Sequence, residues 1–438
     1  MFEKNVYRQR RQHLREQFDE GILLFLGNDE SPMNYADNTY HFRQDSTFLY
    51  YFGLDSPGLV AIMDIDDESE TIFGYDFTVD DVVWMGPQLS LQERAEQVGA
   101  QKSAAEEELP HIIAKALGAG RAVHILPPYR CEHRIKVAAL LHVTVEAVAQ
   151  YVSEPFIRAV VAQRSSKSAE EISEIEKAID ITYEMHTFAM RHARPGVIER
   201  EIAGRMQSIA ASSGASVSFP IIFSVHGETL HNHQHGNVMR SGDIAVNDSG
   251  AESSLHYAGD ITRTIPIGGA FTRRQRDIYD IVLSAQMGAI SAIRPGISYR
   301  DVHMQAAKIM AEGLKQIGIM RGDIDDAVAH GAHALFFPHG LGHMLGLDVH
   351  DMENLGEKYV GYDDSIQRSP QFGLKSLRLA KTLQPGYVVT VEPGLYFIPA
   401  LIEQWKAAGK CAEFIDYKKL SSYLDFGGIR IEDDVLVT

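Results

Sequence analysis

The sequence predicts an α/β domain over residues 1–164, followed by an α+β domain over residues 165–438 with an internal pseudo-twofold repeat. Three observations support this. Short apolar runs alternate with helical stretches in the first part. A helix-capping sequence opens a new segment near Ser168. The tripeptide Arg-Pro-Gly occurs twice in the second part, each time followed by a helical pattern.

Composition limits the classes of partner. The 438 residues suffice for two or three domains. A net charge of −18 disfavours nucleic acid and anionic membranes. No apolar run approaches the roughly 18 residues of a spanning helix, and the charged N-terminus lacks the apolar core of a signal peptide. Cys131 and Cys411 have no metal-ligand spacing, which predicts reduced thiols in a cytoplasmic protein.

Short runs rich in apolar and β-branched residues predict the strands of the first domain. They are GILLFLG (21–27), DSTFLYYFG (45–53), LVAIMDID (59–66), TIFGYDF (71–77), VVWMG (82–86) and AVHILPP (122–128).

The second domain opens with a helix. Ser168 and Glu171 form a capping box, and isoleucines at helical spacing follow. The segments 193–206 and 293–306 resemble each other, which fits a duplicated α+β unit. The alternative is that Pro-Gly turns before helices are simply common.

Two aspartates lie in neighbouring strand patterns. DIAVNDSG (243–250) predicts a strand ending at Asp248, and YAGDITRTIPIGG (257–269) predicts the next, containing Asp260. A hairpin would bring the two aspartates together; the alternative is an exposed hairpin with unrelated acids.

The run FFPHGLGHMLGLDVHD (336–351) holds His339, His343 and His350. Its proline and glycines argue against a regular helix and let backbone approach a ligand closely. Three histidines in such a run favour a site over ordinary core or surface histidines.

Two further strand patterns carry acids. In YVVTVEPGLYF (387–397), Pro-Gly follows Glu392 and places it at a strand end. In GGIRIEDDVLV (427–437), Arg430 and Glu432 alternate with isoleucines and share one face. The alternative for this face is an ordinary solvated strand.

Several buried carboxylates require a neutralising cation. Carboxylates with one imidazole suit Mn²⁺, Co²⁺, Zn²⁺ or Fe²⁺. Carboxylates can bridge two such ions about 3.5–4 Å apart, which turns a bridging water into hydroxide near neutral pH. The set therefore predicts a hydrolase with two divalent metal ions.

Together these motifs resemble the metal-dependent Xaa-Pro peptidases, the family of aminopeptidase P and prolidase. The segments that carry the likeness are DSGAESSLHYAGDITRT, PHGLGHMLGLDVHD, TVEPGLYF and GGIRIEDDV. Residues 36–58 and 82–86 resemble the N-terminal domain of aminopeptidase P. The resemblance implies a pita-bread fold (the creatinase/aminopeptidase type) for the catalytic domain. It also implies two metal ions, with Mn²⁺ expected, and a homo-oligomer, either dimer or tetramer.

The resemblance assigns roles by motif. Asp248 would hold one metal, His343 and Glu392 the other, and Asp260 and Glu432 would bridge both. Glu392 would also move the proton between water and the leaving proline nitrogen. His231, His339 and His350 would contact the substrate or stabilise the tetrahedral intermediate, the alternative for His231 being an incidental surface cluster. Arg430 would orient Glu432.

Substrate contacts follow from the chemistry of an Xaa-Pro bond, which lacks an amide proton. Asp37 or Asp45 would contact the free amine, and Trp84 would form a wall of the pocket. Arg378, in FGLKSLRLAKTLQPG (372–386), matches the arginine with which prolidase reads the proline carboxylate. The expected substrates are small peptides or dipeptides with proline second.

Other functions are alternatives to this one. An aminopeptidase that accepts longer peptides is preferred by overall resemblance, whereas Arg378 favours a strict dipeptidase. A metal-free binding module, creatinase-type chemistry and methionine aminopeptidase fit less well. The interval from Asp248 to Asp260 is slightly longer than usual for the family. The segment after Glu432 is shorter than usual, which bears on whether the chain is complete.

Overall fold

A computed structural model describes every residue from Met1 to Thr438. The chain divides into two compact units. The first comprises Met1–Arg164 with Asn354–Gly356, and the second comprises Ser165–Glu353 with Glu357–Thr438.

The α-helices, in chain order, are α1 Lys4–Arg15, α2 Ser46–Phe52, α3 Val79–Met85, α4 Leu91–Gln97, α5 Leu109–Gly118, α6 Cys131–Leu141, α7 Glu154–Ser165, α8 Ala169–His192, α9 Glu199–Ser212, α10 Arg273–Ala292, α11 Tyr299–Gln316, α12 Ile324–Ala329, α13 Glu357–Val360, α14 Pro399–Ala407 and α15 Tyr417–Leu420. None of them is both long and apolar enough to cross a bilayer.

The β-strands are β1 Ile22–Leu26, β2 Val60–Asp64, β3 Ser69–Gly74, β4 Lys102–Ala105, β5 Val123–His124, β6 Ile222–Ser224, β7 Ile244–Ser249, β8 Ile261–Pro266, β9 Val388–Val391, β10 Gly394–Tyr396, β11 Gly428–Arg430 and β12 Asp433–Leu436.

The first unit is built on one five-stranded sheet of order β4-β3-β2-β1-β5. The central strand β2 pairs antiparallel with β1 and with β3, whereas β4 and β5 add at the edges, parallel to β3 and β1. Helices α5 and α6 pack on the sheet around an apolar cluster that includes Ile22, Val60 and Phe73. The predicted strands at residues 21–27, 59–66 and 71–77 are therefore present.

Two of the predicted strands in this unit are helices. Residues 45–53 form α2, because the Asp45 carboxylate caps its N-terminus and Gly53 ends it in the left-handed conformation. Every residue of α2 is buried, so the apolar run shows no helical periodicity. Residues 82–86 belong to α3, which starts with a capping box between Thr78 and Asp81. Of residues 122–128, only β5 is strand.

Three candidate substrate contacts lie in this first unit. Trp84, on α3, is 87% exposed. Asp37 is exposed on a turn. Asp45 has a structural function as the cap of α2, where its carboxylate accepts the Phe48 N–H at 2.8 Å.

The second unit contains the predicted duplication. Helices α8 and α9 pack together, as do α10 and α11, and an Arg-Pro-Gly turn precedes the second helix of each pair. Gly196 and Gly296 adopt φ of +91° and +85°, a conformation that glycine reaches without strain. Their N–H groups donate to the carbonyls of Met239 and Leu383, each at 2.9 Å. The capping box at Ser168 is confirmed at the start of α8.

The strands of the second unit form short antiparallel sheets: β6-β7-β8, β10-β11 and β9-β12. An isolated bridge between Thr262 and Glu432 joins β8 to the segment between β11 and β12, and another joins Met344, in an irregular loop, to Val389 of β9. The predicted single strand at 427–437 is split at Ile431 and Glu432, because β11 pairs with β10 and β12 pairs with β9. This break places Glu432 beside β8.

Candidate metal centre

Five strands and one irregular loop bring the sequence-predicted ligands together. Asp248 lies in β7 opposite Thr262 of β8, and Asp260 directly precedes β8. Glu392 directly follows β9, and Glu432 occupies the break between β11 and β12. His343 lies in the irregular loop before the Met344–Val389 bridge.

Three of these residues form a tight buried cluster. Ligand atoms of Asp260, His343 and Glu432 all lie within 4.8 Å of one another. His343 Nε2 is 3.6 Å from Asp260 Oδ2 and 3.6 Å from Glu392 Oε1. An imidazole nitrogen aimed at carboxylate oxygens at these separations leaves room for a cation between them.

The carboxyl groups of the cluster have raised pKa values, because they are buried close to one another. Burial, reinforced by Asp248 and other carboxylates, raises the pKa of Asp260 well above its usual range. Burial and then Asp260 and Glu392 raise the pKa of Glu432 in the same way. Burial is also the main cause of the raised pKa of Glu392. Protons or cations must therefore compensate this charge.

One buried oxygen favours a cation at this position. Asp260 Oδ1 is buried and accepts no hydrogen bond, although buried acceptors in proteins are nearly always satisfied. The same carboxylate has its Oδ2 facing His343. Carboxylates with one neutral imidazole make a donor set for first-row divalent ions.

The orientation of His343 is set by its backbone neighbours. Its Nδ1 lies 3.1 Å from the Met344 carbonyl, which leaves Nε2 towards the acids. Burial lowers the pKa of His343, so the ring is neutral, as metal coordination requires. Thr390 Oγ1 accepts the His343 backbone N–H at 3.1 Å and donates to Glu392 at 3.4 Å. One hydroxyl thus positions two of the candidate ligands.

Arg430 corrects one expectation. Its Nη2 donates to Asp248 Oδ2 at 2.6 Å, rather than to Glu432. Its Nε donates to Thr262 Oγ1 at 3.3 Å, and that hydroxyl donates to Glu432 Oε2 at 2.6 Å. The guanidinium therefore orients Asp248 directly and reaches Glu432 only through Thr262, because the strand break carries Glu432 to β8.

A hydrogen-bonded chain fixes the state of His339. Arg430 Nη1 donates to Tyr396 Oη at 2.6 Å, so the phenol donates its own hydrogen to His339 Nε2 at 2.9 Å. His339 Nδ1 then carries the ring proton and donates to the Gly340 carbonyl at 2.7 Å. Burial lowers the pKa of His339 to about 3, which keeps this tautomer neutral.

A cavity of 290 Å³ opens above the cluster. Its lining includes most of the sequence-predicted site residues, namely His231, Asp248, His339, His343, His350, Arg378, Glu392 and Arg430. Asp260 and Glu432 lie beneath it, 4% and 2% exposed. Asp37 and Trp84 belong to the first unit, and their contact with substrate stays a prediction.

The two histidines beside His343 differ in environment. His350 packs edge-on against His343 with ring centroids 4.2 Å apart, and its Nδ1 lies 2.6 Å from Glu353 Oε2. Burial lowers the pKa of His350 to about 4. His231 is exposed at the cavity margin, on the loop after β6.

Sequence reasoning missed the residues that hold the ligands in place. Thr262, Thr390 and Tyr396 each lie within four positions of a predicted ligand, so proximity in the motifs was the available signal. Glu353 gave no signal, because an acid after a histidine in an irregular run has no characteristic pattern.

Comparison with known proteins decides the family. Residues 173–438 match the model of metallopeptidase family M24. Residues 7–125 match the model of the aminopeptidase P N-terminal domain. The chain belongs to metallopeptidase family M24. The predicted family resemblance is thereby confirmed, and this M24 protein is a metallopeptidase that uses divalent metal ions.

The M24 protein is similar over almost its whole length to known Xaa-Pro peptidases. Xaa-Pro aminopeptidase of Escherichia coli strain K12 is 32% identical over 448 residues, which cover 99% of this chain and 92% of that relative. Human Xaa-Pro dipeptidase is 29% identical, with 95% and 84% covered.

Solved structures give the same result. Zinc-substituted Escherichia coli aminopeptidase P in complex with product superposes with a TM-score of 0.79 at 32% identity, covering 100% of the M24 protein and 93% of that chain. Proline aminopeptidase P II from Yersinia pestis gives 0.81 at 29% identity, covering 100% and 94%. These matches confirm the predicted α/β domain followed by a pita-bread catalytic domain.

Proposed function

We propose that this metallopeptidase removes the N-terminal residue from peptides whose second residue is proline, as an Xaa-Pro aminopeptidase. The observation that carries the proposal is the buried cluster of Asp260, His343 and Glu432 beneath a cavity lined by polar and charged side chains. The likeness to Escherichia coli Xaa-Pro aminopeptidase along 99% of the chain supports the same substrate class.

The metal ligands in this proposal are Asp248, Asp260, His343, Glu392 and Glu432. Mn²⁺ is the first choice for the two ions, with Co²⁺, Zn²⁺ or Fe²⁺ as alternatives, because carboxylates dominate the donor set. When bound, the ions would polarise the scissile carbonyl and activate water.

The side chains around the cavity would handle protons and charge. Glu392 would take the proton of the attacking water and return it to the proline nitrogen, because its carboxylate lines the cavity where both would lie. His339 and His350 flank the same cavity and would contact the substrate carbonyl as the tetrahedral intermediate forms. His231 would close the cavity margin over the substrate.

The second candidate is a strict Xaa-Pro dipeptidase. Arg378 favours it, because its guanidinium lines the cavity that also contains His343 and Glu392. Such a cation would read the carboxylate of a C-terminal proline. The likeness to human Xaa-Pro dipeptidase agrees with this reading.

Turnover of Ala-Pro and Ala-Pro-Ala, with Mn²⁺, Co²⁺, Zn²⁺ or Fe²⁺ added, tests both candidates. We expect hydrolysis of the tripeptide. Cleavage of the dipeptide alone would establish the dipeptidase, and no cleavage of either with any metal would refute both. Arg378→Ala should weaken dipeptide binding more than tripeptide binding. Equal effects on the two peptides would show that Arg378 does not bind the proline carboxylate.

We further propose that the chain forms a homo-oligomer, in which Asp37 contacts the substrate amine and Trp84 walls the pocket. Helix α3 supports this, because none of its residues is buried and it exposes Val79, Val83, Trp84 and Met85. Sedimentation analysis of the protein and of Trp84→Ala tests it. A monomeric parent protein would refute it.

The proposed location is the cytoplasm. Both cysteines, Cys131 and Cys411, are free, which agrees with a reducing compartment. Fractionation of cells that produce the protein tests this, and recovery with secreted proteins would refute it.

A further inference from the structure

The guanidinium group of Arg378 faces the substrate cavity and already forms an ion pair with an acid of the same chain. Glu353 Oε1 accepts from Arg378 Nη1 at 2.5 Å, while its other oxygen, Oε2, lies 2.6 Å from His350 Nδ1. One carboxylate therefore bridges two groups that line the catalytic cavity. Charge-assisted bonds of this kind are stronger than neutral ones.

A second acid supports the first. Glu357 Oε1 lies 3.4 Å from the same Arg378 nitrogen. Glu357 also pairs with Arg368, and Arg368 and Lys375 line the cavity as well. The charge of Arg378 is thus balanced internally before any substrate enters.

The pair is accessible to an incoming ligand. The side chains of Arg378 and Glu353 are 36% and 43% exposed, in contrast to the buried metal cluster. A substrate carboxylate can therefore replace Glu353 at this guanidinium group without any unfolding of the core.

We propose that Glu353 is a specificity-determining residue that stands in for the substrate's terminal carboxylate and so favours longer peptides over dipeptides. This inference rests on the proposed Xaa-Pro peptidase function. A dipeptide must place its proline carboxylate on Arg378, where it meets the charge of Glu353 and must displace it. In a longer peptide the same position is a neutral amide carbonyl, which meets no such repulsion.

The test compares the ratio of kcat/KM for Ala-Pro to that for Ala-Pro-Ala in the parent protein and in Glu353→Gln, both loaded with Mn²⁺. Both substrates use the same His350, so any effect of the substitution on that ring cancels in the ratio. We expect the ratio to rise about fivefold, equivalent to about 1 kcal/mol.

Two further variants identify the route of the effect. Glu357 contacts Arg378 but makes no hydrogen bond with His350. Glu357→Gln should therefore also raise the ratio, by less than Glu353→Gln does. In an Arg378→Gln background, Glu353→Gln should leave the ratio unchanged. The guanidinium group for which Glu353 and the dipeptide carboxylate compete is absent there.

The outcomes separate this inference from the proposed function. If the parent protein cleaves neither peptide, the proposed function fails. If the parent cleaves Ala-Pro-Ala but Glu353→Gln leaves the ratio unchanged or lowers it, only the role of Glu353 is overturned. If Glu353→Gln does not fold, an unchanged ratio in Glu357→Gln overturns it instead.

Discussion

Arg430 and Asp248 form a buried ion pair, with Nη2 and Oδ2 2.6 Å apart and side chains only 4% and 12% exposed. The same guanidinium contacts Tyr396 and Thr262. It therefore links the metal side of the centre to His339 on the substrate side. A buried cation held in this way restricts the positions of the groups around it.

Tyr396→Phe should reduce turnover about 10- to 100-fold, as loss of a group that orients ligands typically does. Removing the hydroxyl leaves Arg430 Nη1 and His339 Nε2 without their shared partner. The free energy of unfolding should also fall by about 1–3 kcal/mol. Steady-state kinetics and urea unfolding measure the two effects.

Tyr423→Phe is the matched control for that substitution. Tyr423 is 6% exposed and its ring stacks on Phe397. Loss of its hydroxyl should leave both turnover and stability nearly unchanged. Equal effects of the two substitutions would show that the chain from Arg430 to His339 has no special importance.

Glu392→Gln should lower kcat by about 10²–10⁴-fold, the range for loss of a general acid–base group. The substitution keeps the shape of the side chain, so far-ultraviolet circular dichroism should not change. Glu403→Gln, on the exposed face of α14, is the control. Near-normal turnover of Glu392→Gln would exclude Glu392 from proton transfer.

Metal binding should release protons, because the pKa values of Asp260, Glu392 and Glu432 are raised in the metal-free centre. A raised carboxyl pKa means that the folded, metal-free protein retains protons that the ions must displace. Apparent Mn²⁺ affinity should therefore increase with pH, by about tenfold per pH unit for each proton released. Calorimetric titrations between about pH 6 and about pH 8, in buffers of different ionisation enthalpy, measure this. An affinity independent of pH would contradict it.

Lys167→Met should destabilise the protein by about 3–5 kcal/mol, because it removes one partner of a buried ion pair. Lys167 Nζ lies 2.9 Å from Asp351 Oδ2, and each side chain is 1% exposed. Asp351 directly follows His350, so some loss of activity should accompany the loss of stability. Urea unfolding measures the change.

Lys177→Met is the control for this pair. Lys177 contacts Glu174 but is 61% exposed, and its removal should cost less than about 1 kcal/mol. Similar losses for the two lysines would mean that burial of the Lys167–Asp351 pair contributes little.

The errors in the sequence prediction have different physical causes. The run at residues 45–53 was predicted as a strand, yet it is α2, because complete burial removes the periodicity that distinguishes a helix from a strand. The split of the predicted strand at 427–437 arises because its two halves pair with β10 and β9. Neither pairing is encoded within the segment itself.

Sequence alone was sufficient for the family, the fold class and the repeated helix pairs, since each depends on local patterns and on residue types whose chemistry is specific. It also predicted five metal ligands, of which Asp260, His343 and Glu432 lie within 4.8 Å of one another; their role in metal binding stays a prediction. Only tertiary structure decided the partners of those residues. Arg430 contacts Asp248 instead of Glu432, and Glu353 occupies Arg378, because such contacts depend on how distant segments pack, and no short-range pattern records that packing.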